Sequence, residues 1–346
     1  MPIQRQRFIL ALVSVACVSS PAFGIDEVVR QSGGSVRGTI TSTSKTELSV
    51  EAAGQTTAVP VTDVAAVRWD GEPPQLNLTR TREANGDLEF ALGSYRELLG
   101  QVPADKRDLR TDLQFLIART LARQAVADPG KKDTALKALN DYVSAHGDSF
   151  RFYEALQWVG RVHAAAGEAD AAKAAYARVA EAPLPELKMA AQNAVARIKL
   201  DQGDLAGALA DFDAVLSQQA DSPAASSQRF SAELGKAVVL QRQGNHDEAL
   251  KTLDEVIARA SPDDAAVQAE AFLRKGDSLQ ATGNDKDALL AYLHVDILFP
   301  GESGPHAEAL YHLAKLWATA GKPDRSAEAR RKLTEQYPAS EWASKL

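Results

Sequence analysis

Two patterns of hydrophobic and polar positions divide the chain. Between Ile25 and Gly71 apolar residues alternate with polar ones, as in Val36, Gly38 and Ile40 and again in Leu48, Val50 and Ala52. A period of two marks strands with one face buried. The segment is rich in Val, Thr and Ile, and Gly33-Gly34 and Gly54 stand where turns are needed. Four or five short strands are predicted, in a module too small for a large core of its own. After Gly71-Glu72-Pro73-Pro74 the period becomes helical and stays so to the C-terminus.

The helical part repeats itself. Turn glycines fall at Gly86, Gly130, Gly167, Gly203, Gly244, Gly283 and Gly321, spaced by 44, 37, 36, 41, 39 and 38 residues. Five residues after the first six stands alanine: Ala91, Ala135, Ala172, Ala208, Ala249 and Ala288; the seventh unit has Ser326 there. Nine residues after the same six stands a bulky side chain: Tyr95, Leu139, Tyr176, Phe212, Leu253 and Tyr292. Gly160, Ala196, Ala237, Gly276 and Ala314 precede five of the glycines by seven residues, and Pro103, Pro300 and Pro338 follow three of them by seventeen.

Each position has a physical reason. Glycine ends a first helix in the left-handed conformation. Alanine lets a second helix approach the first, the bulky residue fills the groove beside it, and proline stops it. Together these spacings resemble the tetratricopeptide repeat, a pair of antiparallel helices in a unit of about 34 residues. The resemblance covers residues 74 to 342 and implies a right-handed superhelix of about seven repeats. Register is least regular at Asp128-Pro129-Gly130, at Ala182-Pro183-Leu184-Pro185, and at Gly301 to Pro305, where a loop is expected. The ending ALYHLAKLWATAGKPDRSAEARRKLTEQYPASEWASKL resembles the last repeats and capping helix of bacterial envelope proteins of this class.

The β-rich module, residues 25 to 71, resembles the small barrels of the Sm-like or SH3-like kind. RNA-binding barrels offer basic and aromatic side chains. This one has four basic against six acidic residues, with Trp69 its only aromatic, which favours a cap or docking module over nucleic-acid binding.

Residues 1 to 24 have the pattern of a cleaved export signal. Arg5 and Arg7 precede an apolar run from Phe8 to Val18, and Ala22-Phe23-Gly24 offers small residues for cleavage. The run is shorter than the roughly 20 residues that span a bilayer. Membrane attachment would need lipidation at Cys17, but Ser14 stands where such sites carry leucine. The expected location is the periplasm or cell envelope. Setting aside Arg5 and Arg7 leaves 37 basic side chains against 46 acidic ones, a net charge near −9, unsuited to wrapping nucleic acid. Cys17 is the only cysteine, so the exported part has no disulfide or catalytic thiolate.

No catalytic or metal motif emerges, and neither enzyme activity nor a cofactor is expected. Gly130-Lys131-Lys132-Asp133-Thr134 lacks the upstream glycine and the Ser or Thr directly after lysine that a phosphate loop requires, and reads as a helix start. Gly301-Glu302-Ser303-Gly304 does not join a strand to a helix, so it is no nucleophile elbow. His146, His163, His246, His294, His306 and His312 show no ligand spacing. Asp263-Asp264 and Asp285 to Asp287 fall in turns, where carboxylates cap helices. Asn77-Leu78-Thr79 fits a glycosylation acceptor but carries no weight behind a bacterial-type leader.

The reading is an α-solenoid scaffold or adaptor for protein or peptide partners, preceded by a β-rich module. The alternative is a structural arm whose β-rich head makes the contact. The tetratricopeptide resemblance implies that residues ten and six positions before a turn glycine face the concave side. Those are Gln157 and Arg161, Asn193 and Arg197, and Tyr311 and Lys315. Arginine forks suit carboxylates, and the departure from the family's lysine-and-asparagine clamp leaves a C-terminal carboxylate and an acidic segment equally open.

Overall fold

The computed structural model describes residues 25–338 and 340–346; the predicted leader, with Cys17, lies outside them. Five antiparallel strands come first: β1 (Asp26–Arg30), β2 (Ser35–Thr43), β3 (Glu47–Ala52), β4 (Gln55–Pro60) and β5 (Val64–Arg68), in the order β4-β3-β2-β1-β5. Val28 pairs with Val36 on one side and Val67 on the other, and Leu48 pairs with Val59. Val28, Leu48, Val50, Val59 and Val67 are buried, as the alternation requires. Gly38 lets β2 approach β3: a Cβ there would lie 2.2 Å from the Glu51 carbonyl oxygen.

Seven helix pairs follow, α1 (Gln75–Ala84) with α2 (Leu88–Gln101), α3 (Arg107–Ala127) with α4 (Lys132–Ala145), and α5 (Phe152–Ala165) with α6 (Ala169–Ala180). Next come α7 (Pro185–Asp201) with α8 (Leu205–Leu216), and α9 (Pro223–Arg242) with α10 (His246–Arg259). The last pairs are α11 (Ala265–Ala281) with α12 (Asp285–Leu298) and α13 (Ser303–Thr319) with α14 (Pro323–Gln336), closed by a short α15 (Glu341–Ser344). Each first helix packs on its own second helix, and from α3 onward each also packs on the next first helix.

Six of the seven turn glycines are left-handed, with φ between 68° and 86°. At Gly203 the amide of Asp204 reaches back to the Lys199 carbonyl, 2.9 Å, satisfying an oxygen the helix end would otherwise leave free. Gly130 departs from the expectation. The helix before it ends at Ala127, and Pro129–Lys131 forms a 3-10 turn in which the Gly130 amide donates to the Asp128 carboxylate at 3.0 Å. Proline sets that turn, so the glycine needs no left-handed backbone. A second departure is Gly301 to Pro305. Helix α13 already starts at Ser303, and Pro305 lies in its first turn, where a missing amide hydrogen leaves no bond broken. The predicted caps are mixed: Asp264 accepts from the Val267 amide, whereas Asp285 and Asp287 lie in the first turn of α12 behind the N-cap Asn284.

The repeated alanines are fully buried, and so are Tyr95, Leu139, Phe212, Leu253 and Tyr292. Ser326, standing in for the seventh alanine, donates its hydroxyl to the Ala314 carbonyl at 2.6 Å, so the polar atom is not orphaned at the crossing. The sheet is not separate from the array. One hydrophobic core runs from Val28 in β1 to Ile198 in α7. Polar ties reinforce it. Trp69 Nε1 donates to Asp112 Oδ2 at 3.0 Å, Arg151 Nε donates to Asp112 Oδ1 at 3.0 Å, and Arg80 Nη2 donates to the Val67 carbonyl at 2.8 Å.

Candidate protein-interaction face

Because first helices touch first helices along the array while second helices pack chiefly onto them, the first helices form the inner wall. Arg161 on α5 and Arg197 on α7 are exposed on successive repeats. The Arg161 guanidinium lies 4.7 Å from the centre of the Trp158 ring, and Arg197 Nη2 reaches Ser231 Oγ at 3.3 Å. Among the described residues neither arginine has a carboxylate within salt-bridge range. Gln157 is half-buried beside them.

Asn193 does not join them. It is buried, and its Nδ2 donates to the carbonyl and side-chain oxygens of Gln228 at 2.8 and 3.1 Å, tying α7 to α9. Tyr311 and Lys315 lie at the far end of the wall. Lys315 Nζ donates to the Tyr311 hydroxyl at 3.1 Å, and the Tyr311 ring packs 5.2 Å from Trp342 of α15. The six residues thus form two separate groups rather than one clamp, with Asn193 structural.

Next to Tyr311 the inner wall opens into a cavity of about 450 Å³ lined by Asp277, Gln280, Ala281, Glu308, His312 and Trp342. Arg274 organises its floor, donating to Glu270 at 2.9 Å, to Asp277 at 2.7 Å and to Glu308 at 2.9 Å. The Tyr292 hydroxyl donates to Asp277 Oδ1 at 2.9 Å, and the His312 ring stacks on Tyr292 with centroids 4.7 Å apart. Burial pushes the Glu308 carboxyl up; Arg274 pulls against this, while crowding by Asp277 and Glu270 adds to it. Burial pushes the His312 imidazole down, which keeps it neutral near pH 7.

Ligand atoms of Asp277, Glu308 and His312 lie within 4.8 Å of one another, a donor set of the kind divalent cations use. The guanidinium of Arg274 holds both carboxylates, doing the neutralising that a metal would do. No helix among the described residues is long and apolar enough to cross a membrane.

A family model for the tetratricopeptide repeat matches residues 234–303, and another for the same repeat matches residues 308–340. These stretches are tetratricopeptide repeats. The fold is similar to a tetratricopeptide repeat protein from Parabacteroides merdae ATCC 43184, at TM-score 0.50 and 20% identity, covering 78% of this chain and 96% of that one. It is also similar to Rap protein complexed with competence and sporulation factor, at TM-score 0.51 and 16% identity, covering 78% of this chain and 77% of that one. Identities this low speak for the fold alone. No curated protein matches the chain.

The tetratricopeptide-like solenoid therefore extends over all seven helix pairs, beyond the matched stretches. The acidic cavity was not singled out from sequence. Asp277 does fall six positions before Gly283, the same place as Arg161 and Arg197, so the repeat register held a signal for it. Glu308 and Trp342 carried none, because only the folding back of α15 brings them together.

Proposed function

We propose that this protein is a non-enzymatic scaffold whose concave face holds an extended segment or a helix of a partner protein. The observation that carries this reading is the pair Arg161 and Arg197, exposed on adjacent first helices without a carboxylate partner among the described residues. Guanidinium groups so presented suit an acidic segment or a C-terminal carboxylate. A similar fold, the Rap protein, is known in complex with competence and sporulation factor, which supports a ligand-holding role for such an array.

The β-rich module, which we read as a barrel of the Sm-like or SH3-like kind, acts as the N-terminal cap of the solenoid. Its core is continuous with the first repeats, and the Trp69–Asp112–Arg151 linkage supports a fixed position. End repeats need such covers, since an open end leaves apolar helix faces in water. We also propose export to the periplasm or envelope, on the basic, apolar and small-residue order of residues 1 to 24. N-terminal sequencing of the protein from an envelope fraction should give a start near Ile25; an intact leader in the cytoplasmic fraction would reject export. A pull-down from the same fraction should recover a protein partner with the wild type and lose it when Arg161 and Arg197 are both changed to Glu.

A further inference from the structure

The cavity between α11, α13 and α15 has an unbalanced charge. Three carboxylates, Glu270, Asp277 and Glu308, surround the single guanidinium of Arg274. Arg274 bonds all three, yet the carboxylates outnumber the guanidinium among them. The lysines at this end bond to groups outside this cluster, while Lys315 and Lys345 lie near enough to act on His312. Lys275 pairs with Asp254 at 2.6 Å, Lys315 is held by Tyr311, and Lys345 pairs with Glu341 at 2.7 Å and lies over the Trp342 ring. The cavity walls are aromatic, from His312 and Trp342, and its rim carries the Gln280 amide. Carboxylates behind an aromatic wall fit a guanidinium, which pairs with oxygens in its plane and stacks through its face.

We infer that this cavity takes an arginine side chain of the partner segment that lies along the concave face. The inference rests on the groove reading above and adds a polarity to it. Acidic residues of the partner meet Arg161 and Arg197 on the third and fourth repeats, and its arginine enters between Asp277 and Trp342 on the sixth and seventh. Charge complementarity of this kind sets the direction in which a peptide is held.

The test uses the purified full chain with an oligoarginine peptide as probe and an oligoglutamate peptide as control. The readout is the indole N–H resonance of Trp342, one of four tryptophans, assigned with Trp342→Phe. Oligoarginine should shift that resonance and oligoglutamate should not. Asp277→Asn should weaken the effect, but it also removes bonds to Arg274 and Tyr292, so a second variant is needed. Ala281→Lys places a cation at the cavity rim, at the C-terminal end of α11 where the helix dipole favours it. It should keep the fold and weaken oligoarginine binding about 10-fold. An unmoved Trp342 signal, an unchanged affinity in Ala281→Lys, or a shift produced by oligoglutamate would overturn the inference. So would a stoichiometric shift with zinc chloride alone, which would make the cluster a metal site. The groove reading is judged separately by Arg161→Glu with Arg197→Glu against a natural partner, and it survives if only the Trp342 experiment fails.

Discussion

The ring of Tyr292 fills the space where a side chain on Gly276 would begin: a Cβ there would lie 2.5 Å from Tyr292 Cε1. The same arrangement holds in the third helix pair, with Gly160 of α5 against Tyr176 of α6 at 2.6 Å, and Gly235 of α9 meets Phe212 of the preceding α8 at 2.2 Å. Glycine at the crossing and an aromatic on the second helix are thus one packing unit. Gly276→Ala should destabilise by about 1–3 kcal/mol, the usual range for overpacking. Gly93→Ala on α2, where nothing lies within 4 Å of the added carbon, should instead stabilise by about 0.5–1 kcal/mol. Urea unfolding of the two variants decides it; equal effects would mean that crossings are not close-packed at these glycines.

Asp112 joins the sheet to the third helix pair. Its side chain is buried and accepts from both Trp69 and Arg151, and Arg151 is itself buried with Glu154 as its other partner. Asp112→Ala leaves a buried guanidinium half-paired, which costs about 3–5 kcal/mol in comparable cases. Loss of that size should appear in thermal unfolding together with early proteolytic cleavage near Trp69. A loss under about 1 kcal/mol would show that the sheet is held by its apolar core alone.

Glu27 makes the sheet sensitive to acid. Ser35 Oγ, Arg37 Nε and Arg68 Nη1 all donate to its carboxylate, and these bonds lower its pKa from 4.5 to about 2. A carboxyl lowered by folding adds stability that is fully present above about 4.5 and is lost as pH falls through 2. Glu83 acts in the same direction. Burial opposes its charge, but Arg119, Tyr95 and Arg123 more than offset that and hold its carboxyl below the usual value. The stability difference between wild type and Glu27→Gln should be constant above about pH 4.5 and shrink towards pH 2. A difference independent of pH would show that the bonds do not favour the charged form.

Much of the solenoid was legible because its signals are local. A left-handed glycine, an alanine five residues on and an aromatic nine residues on each follow from one helix meeting its neighbour. Gly130 misled because proline had already turned the chain. Asn193 was legible as a position in the repeat but not as a role, since only the nearness of Gln228, 35 residues on, shows where its amide goes. The Asp112–Arg151 pair and the cavity around Asp277 join residues more than thirty apart through the stacking of repeats. No spacing within a repeat encodes which charges stacking will bring together.

Calorimetric titration of a purified partner into wild type and into the Arg161→Glu, Arg197→Glu double variant tests the concave-face account most directly. Both arginines are exposed, so helix content should be unchanged while affinity falls more than about 10-fold. An unaltered affinity in a fully folded double variant would contradict the account and move the contact off the concave face.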